Sequence, residues 1–323
     1  MTERGPISSV ASLAEGELKL LPGSANPALA ERLAQYLGIE LAKADIGKFP
    51  NGEIRVNIED NVRGTDVFIV QPTCPPVNDN LMELLLMIDA CRRSSANRIT
   101  AVMPFFGYAR QDRKTRSREP ISAKLVANLL TVAGADRVLT LDLHAPQLQG
   151  FFDIPVDNLF GNRTLAEHMR EQNLDNVMVF SPDVGGMQRA RQLAKQLECP
   201  LGFIDKRRPE PSVAEVVNVV GRVSGKNVVF VDDQIDTGGT IAKAAEAVLE
   251  LGAKSVYVCA THAVFSGAVA DTLGHAPIRA VVVTDTIPVA NAPRQTQVVT
   301  VAPLLGEAIR RVHEHLSVSR LFE

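Results

Sequence analysis

Short apolar runs, each followed by an amphipathic stretch, constrain this 323-residue chain more than any other feature. Residues 18–21, 67–70, 99–103, 138–141, 177–180, 228–231 and 256–260 are apolar or nearly so. Helix-like patterns follow at 27–37, 81–93, 122–132, 187–197 and 240–251. Fully apolar four-residue strands have both faces buried, as in a parallel sheet covered by helices. Strand–helix alternation of this kind predicts an α/β fold.

The chain also resembles itself. DVFIV at 66–70, its helix and RITAVMPFFGYA at 98–109 align with NVVFV at 227–231, a helix, and KSVYVCATHAVF at 254–265. LKLLPGSANPALAERLAQYL aligns with VMVFSPDVGGMQRARQLAKQL. This predicts two similar domains, 16–160 and 161–323, after a polar lead of 15 residues expected to be disordered. A final amphipathic stretch, 302–316, is a helix that can dock on either domain, the first included.

Composition narrows the function classes. With 34 basic and 37 acidic residues the net charge is -3, which leaves no basic surplus for non-specific nucleic-acid binding. The longest uninterrupted apolar runs, 84–88 and 256–260, are far short of the ~20 residues of a membrane span. The start lacks the order of a secretory signal. Cys74, Cys91, Cys199 and Cys259 are widely spaced, so a disulfide framework or zinc site is not expected and a cytoplasmic location is.

The segment VVFVDDQIDTGGTI at 228–241 carries the most chemistry. A buried strand is expected to end in Asp232 and Asp233, and Asp236, Thr237, Gly238, Gly239 and Thr240 then open a helix. Glycines permit a tight turn, and N–H groups at a helix N-terminus favour an anion. Two acids just upstream would repel a phosphate but suit hydroxyls or a metal. The implied ligand is a sugar phosphate. Ordinary capping by Asp236 or Thr237 explains one acid and one threonine, not adjacent carboxylates at a strand end. No G-x-x-x-x-G-K-[ST] or G-x-G-x-x-G string is present.

Five further strings stand out. FPNGE at 49–53 has the Asn-Gly signature of a hairpin tip. PFFGYARQDRKTRSREP at 104–120 is a cationic loop beside aromatics, suited to a polyphosphate nucleotide although many such loops are only solvated. In LDLHAPQLQGFFDIPVDN at 141–158, Asp142 and His144 share one side if the strand continues. SPDVGG at 181–186 is a strand-to-helix turn, with Ser181 or Asp183 as an ordinary cap in the plainer reading. IDKRRPEP at 204–211 is a charged loop after a strand.

Taken together, these strings resemble the ribose-phosphate diphosphokinases (PRPP synthetases) of the phosphate-activated bacterial and animal type, and the resemblance covers nearly the whole chain after residue 16. It implies two phosphoribosyltransferase-like domains and transfer of the diphosphoryl group of ATP to ribose 5-phosphate, giving AMP and PRPP for nucleotide biosynthesis. By the same resemblance Phe49, Asn51, Gly52 and Glu53 hold the adenine in a neighbouring subunit's site, and Arg110 and Gln111 contact ATP. His144 and Asp183 serve Mg2+, with Asp142, Asp153 and Asp157 as weaker candidates. Lys206 is catalytic, and Arg208 is catalytic and substrate-binding. Asp232, Asp233 and residues 236–240 bind ribose 5-phosphate. Hexamers with shared sites, and inorganic phosphate and ADP as effectors, follow from the same resemblance. A nucleobase phosphoribosyltransferase would need neither FPNGE nor a second copy of the fold. A DNA-binding regulator would add a basic helical module, and an inactive partner subunit would have lost Lys206, His144 or Asp183.

Overall fold

The computed structural model describes residues 16–207 and 216–322. The 15-residue lead and Arg208 lie outside the described residues.

The first half runs β1 (Leu18–Pro22), α1 (Pro27–Leu37), β2 (Ala44–Lys48), β3 (Ile54–Ile58), β4 (Asp66–Val70), α2 (Val77–Arg93), β5 (Arg98–Met103), α3 (Ser122–Ala133), β6 (Arg137–Leu141) and β7 (Val156–Leu159). α4 (Asn162–Glu171) follows the first sheet, and the second half then runs β8 (Val177–Ser181), α5 (Met187–Gln196), β9 (Leu201–Arg207), β10 (Val216–Val220), β11 (Asn227–Ile235), α6 (Gly239–Glu250), β12 (Ser255–Ala263), α7 (Val269–His275), β13 (Ala280–Thr284), β14 (Thr296–Val299) and α8 (Ala302–His313). The first sheet is β1-β4-β5-β6-β7, parallel throughout. The second is β10-β9-β8-β11-β12-β13-β14, with only β10 antiparallel.

The order β1-β4-β5-β6-β7 recurs as β8-β11-β12-β13-β14, so the internal similarity in sequence is a duplicated topology. The repeats differ at one place. Hairpin β2–β3 stands apart from the first sheet, whereas its counterpart β9–β10 extends the second. β4 and β13 are buried at every residue, because helices cover both faces. Among the described residues no helix is long and apolar enough to cross a membrane.

The two halves exchange their last helices. α4, which follows the first sheet, lays Leu165, Ala166 and Met169 on a core of Val179, Ala190, Val229 and Val231 in the second half. α8, which follows the second sheet, lays Leu305, Ala308, Ile309 and Val312 beside Leu29 and Leu33 of α1 and against Phe68 and Leu139 of the first. Burying each of these larger aliphatic side chains contributes about 1.5–3 kcal/mol. Gly306 permits the close approach, since a Cβ there would lie 2.3 Å from Cδ1 of Tyr36.

Each exchanged helix starts on a carboxylate from the end of a strand. Asp142 follows β6, and its Oδ2 accepts the N–H of Gly161, the cap of α4, at 2.8 Å. Asp285 follows β13, and its Oδ1 accepts the N–H of Val301, the cap of α8, at 2.8 Å. Asp142 also accepts the Thr261 hydroxyl of β12 at 2.5 Å, and Arg32 of α1 donates to Asp285 at 3.1 Å. Buried His262 of β12 adds a third tie, with Nε2 3.2 Å from the Leu141 carbonyl and Nδ1 2.9 Å from Thr286 Oγ1. Burial pushes its pKa down, so the imidazole is held neutral.

This arrangement corrects the reading of Asp142 as a metal-site residue. β6 ends at Leu141, so strand alternation does not carry Asp142 and His144 to one side. Asp142 is buried in the domain junction and does the work that Asp285 does in the other half. Asp157 also pairs with Arg137 at 2.5 Å, and Asp153 is exposed, 3.7 Å from Lys124.

Asp142→Ala and Asp285→Ala each strand a buried N–H donor, and each should lower unfolding stability by about 1–3 kcal/mol. Thermal denaturation measures the loss. A weakened ligand affinity in Asp142→Ala at unchanged melting temperature would instead place Asp142 in the ligand site.

Candidate functional site

Parallel strands carry ligands at their C-terminal ends, and the favoured crevice is where neighbouring strands connect in opposite directions. In the second sheet that point lies between β8, which leads to β9 on one side, and β11 on the other. A cavity of about 330 Å3 opens there, lined by Asp183, Arg189, Asp232, Asp233, Asp236, Thr237, Gly238 and Thr240, with Arg110 and His144 from the first half.

β11 does not stop at the acids but continues to Ile235. Alternation therefore separates the pair: Asp233 is buried, and Asp232 is partly exposed in the cavity. His144 Nδ1–H donates to Asp233 Oδ2 at 2.7 Å, which leaves Nε2 as the free ring nitrogen. Arg189 of α5 lies 3.3 Å from Asp232 and 3.4 Å from Asp233. Burial opposes charge on both acids, but His144 and Arg189 hold Asp233 ionised and well below the usual carboxylate range. Asp232 moves the opposite way: burial first, then the adjacent Asp233 charge, raises its pKa. The hydrogen bond to Asp233 raises the pKa of His144 above its ordinary 6.5.

The turn from β11 into α6 is shaped for an anion. Gly238 has φ of +77°, in the region that favours glycine, and α6 begins on it with no side-chain cap. Expected capping by Asp236 or Thr237 is thus absent. Asp236 instead accepts the Ser266 hydroxyl on one oxygen and meets Arg110 Nη1 at 2.6 Å on the other. Burial tends to raise the Asp236 pKa, but these two partners bring it below the ordinary value, so the acid is charged at neutral pH. The first-turn N–H groups of α6 are left for a ligand, with Thr237 and Thr240 exposed beside them. A Cβ on Gly239 would meet only open space.

Asp183 follows β8. Its Oδ1 accepts the Gly186 N–H at 2.9 Å, at the start of α5, and the residue is exposed in the cavity. Lys206 belongs to β9, which lies parallel to β8 with Phe203 opposite Ser181. β9 therefore runs on past Phe203 at the sheet edge where Asp183 begins.

Arg110 also lines a second cavity of about 360 Å3, with Phe105, Phe106, Tyr108, Gln111 and Gln234. Phe49, Asn51, Gly52 and Glu53 form the exposed tip of hairpin β2–β3, and none of them lines either cavity. Phe49 N–H donates to the Glu53 carbonyl at 2.8 Å, and Glu53 N–H to Asn51 Oδ1 at 3.1 Å. The fold thus brings together His144, Asp183, Asp232, Asp233, residues 236–240 and Arg110, and leaves the hairpin tip apart.

Arg189 and Ser266 were not legible as site residues. The only signal for Arg189 was indirect: two adjacent acids require a nearby cation, but nothing in the sequence says which.

Comparison with known proteins agrees with this geometry. Residues 18–134 match the N-terminal domain of ribose phosphate pyrophosphokinase, and residues 170–323 match the phosphoribosyl synthetase-associated domain. The chain is 53% identical over 314 residues to the ribose-phosphate pyrophosphokinase of Oceanobacillus iheyensis, covering 97% of this chain and 99% of that protein. Identity to the enzyme of the same name from Chromobacterium violaceum is 55% over 309 residues, covering 94% of each. The crystal structure of phosphoribosylpyrophosphate synthetase from Mycobacterium smegmatis superposes with a TM-score of 0.88 at 45% identity, over 93% of this chain and 99% of that one.

In metal-free protein the His144 imidazole should titrate above 6.5 by NMR, and Asp233→Asn should bring its midpoint down. The stabilisation from a raised histidine pKa is complete below the unfolded value of 6.5 and is lost as pH rises through the folded value. An unshifted His144 in Asp233→Asn would mean that the bond to Asp233 does not set the titration.

Proposed function

This chain belongs to the ribose-phosphate pyrophosphokinase family, and we infer from that premise which of its residues carry the transfer of a diphosphoryl group from ATP to the 1-hydroxyl of ribose 5-phosphate. The anomeric oxygen attacks the β-phosphorus of ATP, the bond from that phosphorus to the α,β-bridging oxygen breaks, and AMP leaves. The hydroxyl proton is lost as the new P–O bond forms.

The observation that carries this assignment is the uncapped N-terminus of α6 beside the Asp232–Asp233 pair. The 5-phosphate sits on the first-turn N–H groups with the hydroxyls of Thr237 and Thr240, where the helix dipole favours its charge. Asp232 faces the ribose hydroxyls. Asp233 keeps His144 oriented with Nε2 free, and Arg189 offsets the charge of the acidic pair. Lys206, with Arg208, neutralises charge that builds on the transferring group and on departing AMP. Phosphoryl transfer depends on such positioning and electrostatics more than on covalent steps.

The donor set also bears on Mg2+. Among the described residues no group of three or more His, Cys, Asp or Glu is arranged to hold a metal ion by itself. Mg2+ takes few protein ligands and completes its octahedron with water and phosphate oxygens. Asp183, Asp232 and the free nitrogen of His144 would hold it, directly or through water, and it would supply charge neutralisation on the ATP phosphates.

The hairpin tip supports a shared site. Phe49, Asn51, Gly52 and Glu53 project into solvent away from both cavities, and we assign them to the adenine of a neighbouring subunit's ATP. The same reading extends to a hexamer, to inorganic phosphate and ADP as effectors, and to a cytoplasmic enzyme whose four cysteines are all free thiols.

A coupled assay should show AMP release that depends on ribose 5-phosphate; release without the sugar phosphate, or none with it, would overturn the assignment. Lys206→Ala should lower kcat by a factor of order 10²–10³, the size of one lost electrostatic stabiliser, with little change in substrate affinity. A raised KM at unchanged kcat would make Lys206 a ground-state binding residue. For the shared site, Glu53→Ala and Lys206→Ala should each be nearly inactive, yet co-refolded mixtures should regain up to about a quarter of wild-type sites. No recovery in verified mixed oligomers would place both residues in one subunit's site.

A further inference from the structure

Asp236 stands in the sugar-phosphate loop, yet its carboxylate is turned to other partners. One oxygen accepts the Ser266 hydroxyl, and Ser266 N–H donates to the Asp236 carbonyl at 3.2 Å. The other oxygen meets Arg110 Nη1 at 2.6 Å. Neither caps α6. The carboxylate is therefore fixed from behind by Ser266 and presents a charge to Arg110.

Arg110 comes from the other half of the molecule, on the loop after β5, with no regular element to hold its side chain. That side chain is 59% exposed and borders both cavities, the polar one with the α6 N-terminus and the aromatic one with Phe105, Tyr108 and Gln111. A guanidinium has five N–H donors in a rigid fork, so an ion pair that occupies one leaves four in a defined orientation. An exposed ion pair contributes little to folding. It can contribute to binding, because an arginine already ordered does not have to be ordered by the ligand.

We propose that Asp236 is a positioning residue for ATP: it holds Arg110 at the wall between the two cavities so that the remaining guanidinium donors meet the nucleotide. The proposal rests on the reading of Arg110 as an ATP contact, and goes beyond it by giving a residue of the sugar-phosphate loop a role in nucleotide affinity. It also makes the ion pair the physical link between the two substrate sites, which come from different halves of the duplicated fold.

The test is equilibrium binding of a non-hydrolysable ATP analogue with Mg2+ and without ribose 5-phosphate, so that any direct role of Asp236 toward the sugar is silent. Asp236→Asn should weaken analogue binding about three- to tenfold, the scale of ordering one long side chain. Arg110→Ala should weaken it at least as much. The double variant should be no weaker than Arg110→Ala, since removing the holder costs nothing once the held group is gone. Asp236→Glu, which keeps the charge, should recover part of the loss. Ser266→Ala should give a smaller loss of the same kind and serves if Asp236→Asn fails to fold. Wild-type affinity in Asp236→Asn beside a weakened Arg110→Ala would overturn the proposal, as would simple additivity in the double variant. Wild-type affinity in Arg110→Ala would overturn the ATP reading of Arg110 and the proposal with it.

Discussion

The molecule depends on two carboxylates, each of which starts a helix that packs on the other half. Asp142 follows β6 and accepts the N–H of Gly161, the cap of α4, whose apolar face lies on the second sheet. Asp285 follows β13 and accepts the N–H of Val301, the cap of α8, whose apolar face lies on the first. Without these bonds, each exchanged helix would begin with a buried, unsatisfied donor. With them, each half is completed by a helix of the other, and the two sheets are held in one fixed relation. The cavity needs that relation, because His144 and Arg110 come from the first half and every acid in the cavity from the second.

The duplication sharpens the question of why only one copy carries the site. After the apolar run of β11 the chain reads DDQIDTGG, and the helix that follows starts without a side-chain cap. After β4 it reads QPTCPP, with prolines where the second half has Asp233, Asp236 and Thr237. Gln71 there donates to Glu83 of α2 at 2.9 Å, and Ser24 gives its N–H at 2.7 Å and its hydroxyl at 2.5 Å to the same carboxylate. An internal anion thus takes donors at the ends of β1 and β4, the counterparts of β8 and β11. One repeat keeps its donors for a ligand and the other spends them on its own chain.

Electrostatics then divides the two adjacent acids into different roles. Asp233 has two cationic partners and a buried place, so it is held ionised and serves as an orienting group. Asp232 has its pKa raised by burial and by that neighbouring charge, with Arg189 acting against both. Strand alternation produces the division: continuing β11 through both residues buries one carboxylate and leaves the other partly exposed.

Much of this was legible in the sequence, because it follows from local pattern. Apolar runs of four or five residues alternating with amphipathic stretches read as buried strands with covering helices, so the α/β class, the duplication and the Gly-rich turn after β11 are local matters of periodicity and turn chemistry. The FPNGE hairpin and the Gly-rich turns belong to the same class. Partners distant in sequence were not legible. Asp142 looked like a neighbour of His144, but a strand that ends one residue early gives it to the domain junction, where only the fold reveals its twin, Asp285. The end of β11 was misplaced because strand length is set by pairing with β12, not by the apolar run. Arg189, Ser266 and the Arg110–Asp236 pair join residues up to 126 positions apart, and such meetings are decided by tertiary packing, which chooses among the many cations and hydroxyls that local pattern leaves equivalent.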